Sequence, residues 1–235
     1  MLVITRCSHD AEDRRGLFCD ATSFAKGATI YHQGDQVGHW YEVLAGIVRT
    51  CRFLADGHRQ LTGFFHVGDV FGLDGTRYRE SAEAVTEVVL RRYSANPFDA
   101  AQGSRGGVPD HIFEKALESA RQSIFLFGHR TAANRLAAFL ISMAGRSRAS
   151  AGVNVELPMT RGDIADHLNL TLHTVSRTIC AFARRGYIVL DGPQNVRIVD
   201  LEGLRVLAGD AGPGEAGSCP FPGWEPQAAR ETAQG

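Results

Sequence analysis

His173, Ser176, Arg177, Cys180 and Arg184 fall at i, i+3, i+4, i+7 and i+11. On a helix that spacing gathers them on one face, and none of them is needed in an apolar core. The planar fork of Arg177 matches the O6 and N7 acceptors of guanine. Ser176 is short enough to let the backbone approach a base or a phosphate. The chemistry available to such a face is recognition of the major groove, and residues near the N-terminus of such a helix reach furthest into it. Cys180 lies one turn beyond Ser176 and is a redox-sensitive candidate, because oxidation to a sulfinate would set negative charge beside phosphates.

The neighbouring residues supply the elements that must hold this face. Thr160 caps a first helix, with Asp163 in its first turn. Ile164, Ala165 and Leu168 form its inward side. Asn169 tolerates a positive φ and can end the helix. Leu170 is expected to be buried, and Thr171 caps a second helix that turns Leu172, Val175, Ile179 and Phe182 inward. Gly186 ends that helix, with Arg184 and Arg185 in its last turn, where cations favour the dipole. Ala165 precedes Asn169 by four positions and Asn169 precedes Val175 by six. A small residue at Ala165 lets the second helix cross closely. This is the spacing of a helix-turn-helix. A hairpin wing follows, Tyr187-Ile188-Val189-Leu190 and Val196-Arg197-Ile198-Val199 around Asp191-Gly192-Pro193. The expected DNA contacts are Thr160, Thr171, His173, Ser176, Arg177 and Arg184.

Charge agrees with this placement. The chain as a whole carries a formal −1, but residues 128–199 hold nine arginines against four acids. A basic segment in an otherwise acidic chain suits a partner with a phosphate backbone. Five cysteines, Cys7, Cys19, Cys51, Cys180 and Cys219, are odd in number and scattered. They form neither a disulfide framework nor a C-x-x-C metal pair. No run of about 18 apolar residues predicts a membrane span. No apolar stretch with a cleavage site opens the chain, so the expected location is the cytoplasm.

Upstream, residues 28–93 show short apolar runs broken by Gly34-Asp35, Gly46, Asp56-Gly57 and Gly68-Asp69. Trp40-Tyr41-Glu42-Val43-Leu44 and Leu61-Thr62-Gly63-Phe64-Phe65 are such runs. Strands at this spacing predict a sandwich or barrel. Beyond Asp110, Phe113, Leu117, Ala120, Ile124, Phe127 and Thr131 step by 4, 3, 4, 3, 4. That is a heptad seam. A helix of about 35 residues is about 52 Å long, more than one small domain covers, so the seam predicts a homodimer. Past Gly128 the apolar positions shift to Ala133, Leu136, Ala137 and Leu140, which predicts that the helix joins a second core. The expected fold class is α+β, with an N-terminal segment over 1–20 and a sensor-type β domain over 21–108. A dimerisation helix over 109–144, a winged helix-turn-helix domain over 145–208 and a disordered tail over 209–235 follow.

The motif TRGDIADHLNLTLHTVSR, with HRTAANRLAAFLISMAGR before it, resembles the CRP/FNR family and within it the FNR/FixK branch. FFHVGDVFGL and ESAEAVTEV resemble the family's cyclic-nucleotide-binding-type jelly-roll. The resemblance spans residues 20–208. It implies a homodimer that binds a palindromic site on double-stranded DNA, contacts RNA polymerase and activates genes of microaerobic or anaerobic metabolism, nitrogen fixation among them. Three departures qualify it. The family's nucleotide binders carry Gly-Glu for the ribose and Arg-Ser for the phosphate, whereas this chain has Gly72-Leu73-Asp74 and Arg79-Glu80-Ser81; Glu80 repels a phosphate, so cyclic AMP is not expected. The branch's oxygen sensors hold an iron–sulfur cluster with a close group of N-terminal cysteines. Cys7 and Cys19 are too few for that, which implies the FixK type, regulated mainly by its own expression. The branch usually has Glu where this chain has His173.

No cofactor, metal or catalytic residue is therefore expected. Two other readings stand beside this one. His32, His39, His58 and His66 could serve a ligand-gated regulator that senses haem, nitric oxide or a metabolite. A cupin-type metal enzyme needs an H-x-H pair and a carboxylate on facing strands, and no H-x-H occurs in the chain.

Overall fold

The computed structural model describes residues 19–94, 112, 114, 116–117, 131–146 and 153–209. The first body is a roll of two antiparallel four-stranded sheets. Its strands are β1 (Cys19–Phe24), β2 (Thr29–Tyr31), β3 (His39–Ala45), β4 (Val48–Phe53), β5 (Arg59–Phe65), β6 (Val70–Phe71), β7 (Ser81–Ala84) and β8 (Val88–Ser94). One sheet runs β1-β8-β3-β6 and the other β2-β7-β4-β5. Val43, Val48, Ala82, Ala84, Val88 and Leu90 fill the space between them. Gly46 makes the turn from β3 to β4 at φ 82, and a Cβ there would collide with the Glu87 carbonyl. Any other residue would be strained both by the positive φ and by the clash.

The second body contains α1 (Ala132–Arg146), β9 (Val153–Glu156), α2 (Arg161–Leu168), α3 (Leu172–Arg184), β10 (Ile188–Leu190), β11 (Asn195–Ile198) and α4 (Leu201–Ala208). β10 and β11 form the expected wing hairpin, and β9 adds a third strand to it, in the order β10-β11-β9. Leu136, Ala137, Phe139 and Leu140 of α1 are buried with Ile164, Leu168, Val175, Ile179, Phe182 and Leu204. α1 thus packs in the same core as the helix pair.

The heptad spacing predicts one helix over 109–144, but α1 starts afresh at Ala132. Thr131 is bent, its hydroxyl accepts from the Asn134 N–H at 3.1 Å, and its own N–H donates to Asn134 Oδ1 at 3.2 Å. A side chain that caps the backbone locally competes with continuation of the helix. Upstream, Ile112, Glu114, Ala116 and Leu117 are helical. Ile112 packs with Trp40, Val70 and Tyr93, and Leu117 is exposed. Phe113, Ala120, Ile124 and Phe127 of the expected dimer seam lie outside the described residues, as do Cys7, Cys219 and most of the expected tail.

The outer face of the second sheet is where the two bodies meet. An outer sheet face is ordinarily polar, yet Cys51, Leu61, Phe64 and Val85 are all buried. A bulge between Thr50 and Cys51 resets the register, so that Cys51 sits opposite Leu61 and Arg49 opposite Phe64. Leu61, Phe64 and Val85 thereby join the C-terminal core. The His167 ring of α2 lies edge-on to Phe64, with centroids 5.1 Å apart, and 5.9 Å from Phe139.

Burial pulls the His167 imidazole down to about 4. In the unfolded chain it titrates near its ordinary value of about 6.5. Between these values the unfolded chain binds a proton that the folded one refuses. Stability therefore falls as pH drops through this window, by up to about 3 kcal/mol. The charged groups facing this part of α2 are Arg49, Arg59 and Glu83 on the sheet and Asp163 one turn earlier on α2 itself. Urea denaturation at several pH values should show the loss in the wild type and a much flatter profile in His167→Gln. Equal slopes in the two proteins would place the acid sensitivity elsewhere.

Candidate nucleic-acid interface

The helix pair is built by its caps. Thr160 Oγ1 accepts from the Asp163 N–H at 3.0 Å, and Asp163 Oδ2 accepts from the Thr160 N–H at 3.1 Å. This reciprocal box satisfies two orphan donors of α2. Asn169 ends α2 at φ 51 and ψ 53 in the left-handed region, and the Leu170 N–H donates to the Ala165 carbonyl at 2.8 Å. Thr171 then caps α3, accepting from the Thr174 N–H at 3.1 Å. From α1, Arg135 donates to the Leu168 carbonyl at 3.1 Å and braces the turn.

α3 buries Val175, Ile179 and Phe182. Its other side carries the residues expected to meet DNA. His173, Arg177, Cys180 and Arg184 are exposed, Ser176 is partly so, and the caps Thr160 and Thr171 lie open to solvent. The sequence reading needs two changes here. Leu172 is 55% exposed rather than inward, because the first turn of α3 projects beyond the core that its later turns cover. Leu170 is only half-buried. An exposed Leu172 beside Thr171 and His173 offers an apolar surface of the kind that meets a thymine methyl. Arg161 also escaped the sequence reading. It is half-buried, donates to the Pro193 carbonyl of the wing at 3.3 Å, and lies close to Cys180. Burial pulls its guanidinium below the ordinary value.

The β-roll does not fit a cyclic nucleotide. Tyr31 and Tyr78 stack with centroids 3.7 Å apart, and Tyr41 and Phe71 extend the stack. Glu80, where the resemblance places the phosphate-binding arginine, accepts from Thr62 Oγ1 at 2.8 Å. Burial raises the Tyr31 phenol, and the charges of Asp74 and Glu80 raise it further. Two carboxylates around packed rings oppose a phosphodiester. Among the described residues no group of three His, Cys, Asp or Glu side chains could hold a metal. His32 and His58 lie in exposed turns, His39 opens β3 and His66 follows β5. No helix among the described residues is long and apolar enough to cross a membrane.

A capped helix pair, a three-stranded wing and an exposed face on the second helix, carried behind a β-roll, define a winged helix-turn-helix DNA-binding protein. Residues 134–207 match the Crp-like helix-turn-helix domain, and residues 21–102 match the cyclic nucleotide-binding domain. The nitrogen fixation regulation protein FixK of Azorhizobium caulinodans is 37% identical over 191 residues, 78% of this chain and 77% of that protein. The transcriptional activator protein FnrL of Cereibacter sphaeroides is 30% identical over 198 residues, 80% of each. The structure of FixK2 from Bradyrhizobium japonicum superposes with a TM-score of 0.72 at 33% identity, covering 81% of this chain and 98% of that one. The chain belongs to the CRP/FNR family of transcription regulators, in its FNR/FixK branch, and is a sequence-specific DNA-binding regulator rather than an enzyme.

Arg177 stands exposed in the second turn of α3. Arg177→Ala should cost about 1–3 kcal/mol of binding and relax the preference at one base pair. Binding measured on a panel of single-base variants of the site checks this. A uniform loss across the panel would make Arg177 a phosphate contact.

Proposed function

We propose that the chain is a homodimeric activator that binds palindromic double-stranded DNA in the cytoplasm and works without a cyclic nucleotide. It engages RNA polymerase at genes of microaerobic or anaerobic metabolism, nitrogen fixation among them. The observation that carries this reading is a contrast within one molecule: the face of α3 expected to meet DNA is open to solvent, while the part of the β-roll that would hold a nucleotide is acidic and packed with rings. A regulator so built has no obvious use for a phosphate-bearing ligand. The physiological role draws on its relatives, which include nitrogen fixation regulation proteins and transcriptional activators. Homodimerisation draws on the heptad seam and on the two-fold symmetry that a palindrome demands.

Selection of bound sequences from random DNA tests the reading directly. It should return an inverted repeat whose half-sites lie about one helical turn, roughly 34 Å, apart. Adding cyclic AMP should leave the affinity for that repeat unchanged. Recovery of single half-sites, or a large gain in affinity with cyclic AMP, would overturn it.

His173 gives a finer expectation. A glutamate in its place would accept from cytosine N4 and demand a G·C pair. An imidazole holds one donor and one acceptor when neutral, so the selected repeat should be degenerate at the matching position. His173→Glu should restore a single preferred pair there. If the wild type already selects the same pair as His173→Glu, His173 does not read that base.

A further inference from the structure

The β-roll and the helix-turn-helix touch through α2, and the contact leaves the recognition face untouched. Asp163 and His167 turn toward the sheet, while His173, Arg177, Cys180 and Arg184 of α3 remain exposed. The contact therefore does not cover the DNA-binding surface; it sets the direction in which that surface points.

Arg49 of β4 is the directional element of the contact. Its Nε and Nη2 both donate to Glu83 Oε2 on the neighbouring strand β7, at 2.9 and 2.7 Å. That pair of bonds fixes the plane of the guanidinium. The remaining branch, Nη1, donates to Asp163 Oδ1 at 2.8 Å. Arg59 approaches the same oxygen at 3.5 Å and Glu83 at 3.8 Å. The other Asp163 oxygen, Oδ2, is held in the capping box of α2. The Asp163 side chain is 6% exposed, so water has little access to replace a broken bond. Around this cluster lie Leu61, Phe64, Val85 and Phe139. Apolar contacts are non-directional and would allow α2 to slide or turn on the sheet. The fork of Arg49 does not, because moving α2 breaks either the cap or the ion pair.

We infer that Arg49 is a positioning residue for DNA binding: through Asp163 it fixes the orientation of each helix-turn-helix on its β-roll, and so the separation at which a dimer presents its two recognition helices. This rests on the palindrome-binding dimer proposed above. A head held only by its chain connection still binds a half-site. It no longer offers its partner head at the right place, so the gain in effective concentration for the second half-site shrinks. A loosened head also adapts to a wrong spacing, where one added base pair displaces a half-site by about 3.4 Å and turns it by about 34°.

The test uses the full chain and the selected inverted repeat. Affinities of the wild type, Arg49→Gln and Arg49→Lys are measured on four DNAs: the repeat, the repeat with one base pair added or removed between half-sites, and a single half-site. The wild type should prefer the original spacing strongly. Arg49→Gln should lose about tenfold or more on that repeat and little on the half-site, so that its discrimination between spacings collapses. Arg49→Lys keeps the charge without the fork and should lie between them; it also provides the comparison if Arg49→Gln fails to fold. An unchanged spacing preference in both variants would overturn the inference. So would an equal loss on all four DNAs, which is the mark of a damaged fold, or tighter binding, which would make the contact inhibitory. A wild type indifferent to spacing would instead remove the dimeric reading, and this inference with it.

Discussion

Asp163 divides its two oxygens between the cap of α2 and the guanidinium of Arg49. The arrangement of the DNA-binding domain depends on that division. The oxygen facing the cap sets where α2 begins, and so where Ala165 and Asn169 fall and how α3 crosses above them. The oxygen facing β4 ties that start to the sheet. A glutamate could satisfy the cap, but its extra methylene would push the carboxylate against Arg49 or withdraw it from the helix. The side chain is buried among two arginines and Glu83, two charges of each sign. Such a cluster is tolerable away from water because each charge is met by an opposite one; removing a single member leaves the others uncompensated.

The helix-turn-helix was legible in the sequence because its signals are local. Thr160, Asn169 and Thr171 each act on backbone within a few positions, and all three perform the capping that their residue types promise. The β-roll was legible as a class, from short runs between turn residues, but not in its pairing. The bulge at Thr50 and Cys51 turns Phe64 outward where simple alternation groups it with Thr62. The docking of Phe64 and Arg49 on a domain about a hundred positions later has no local trace. Leu172 was misread because a helical wheel carries no information about where a core stops. Thr131 was misread because a heptad register ignores a hydroxyl that can cap. β9 and α4 are short, and much of their burial is supplied by neighbours, α1 above all. Of the residues expected to touch DNA, every one is described, and every one lies at the surface or partly so. The supports beneath them, Arg135, Arg161 and His167, were silent in the sequence because an arginine or histidine outside a motif looks like ordinary surface.

The two sheets of the roll have diverged in what they face. The first stacks Trp40 on Tyr93 at 3.9 Å on its outer side, next to Ile112 at the entry to the helical region. The second gives its outer side to the DNA-binding domain. The interior between them is closed by tyrosines and bordered by Asp74 and Glu80. The roll is thus contacted by helical structure on both outer faces.

That double contact has a consequence for the chain while it is being made. β4 and β5 leave the ribosome well before α1, since 75 residues separate Phe64 from Phe139. At about 5–20 residues per second, the interval is about 4–15 s. During it the sheet can already pair, but Leu61, Phe64 and Val85 have nothing to cover them. A nascent β-roll thus displays an apolar strip beside the edge strand β5, a surface that invites association between chains on neighbouring ribosomes. Arg49 and Arg59 flank that strip, and before Asp163 is made they are opposed within the sheet by Glu83 alone, so the side chains that later fasten the domains leave a net positive charge beside the strip that disfavours such association.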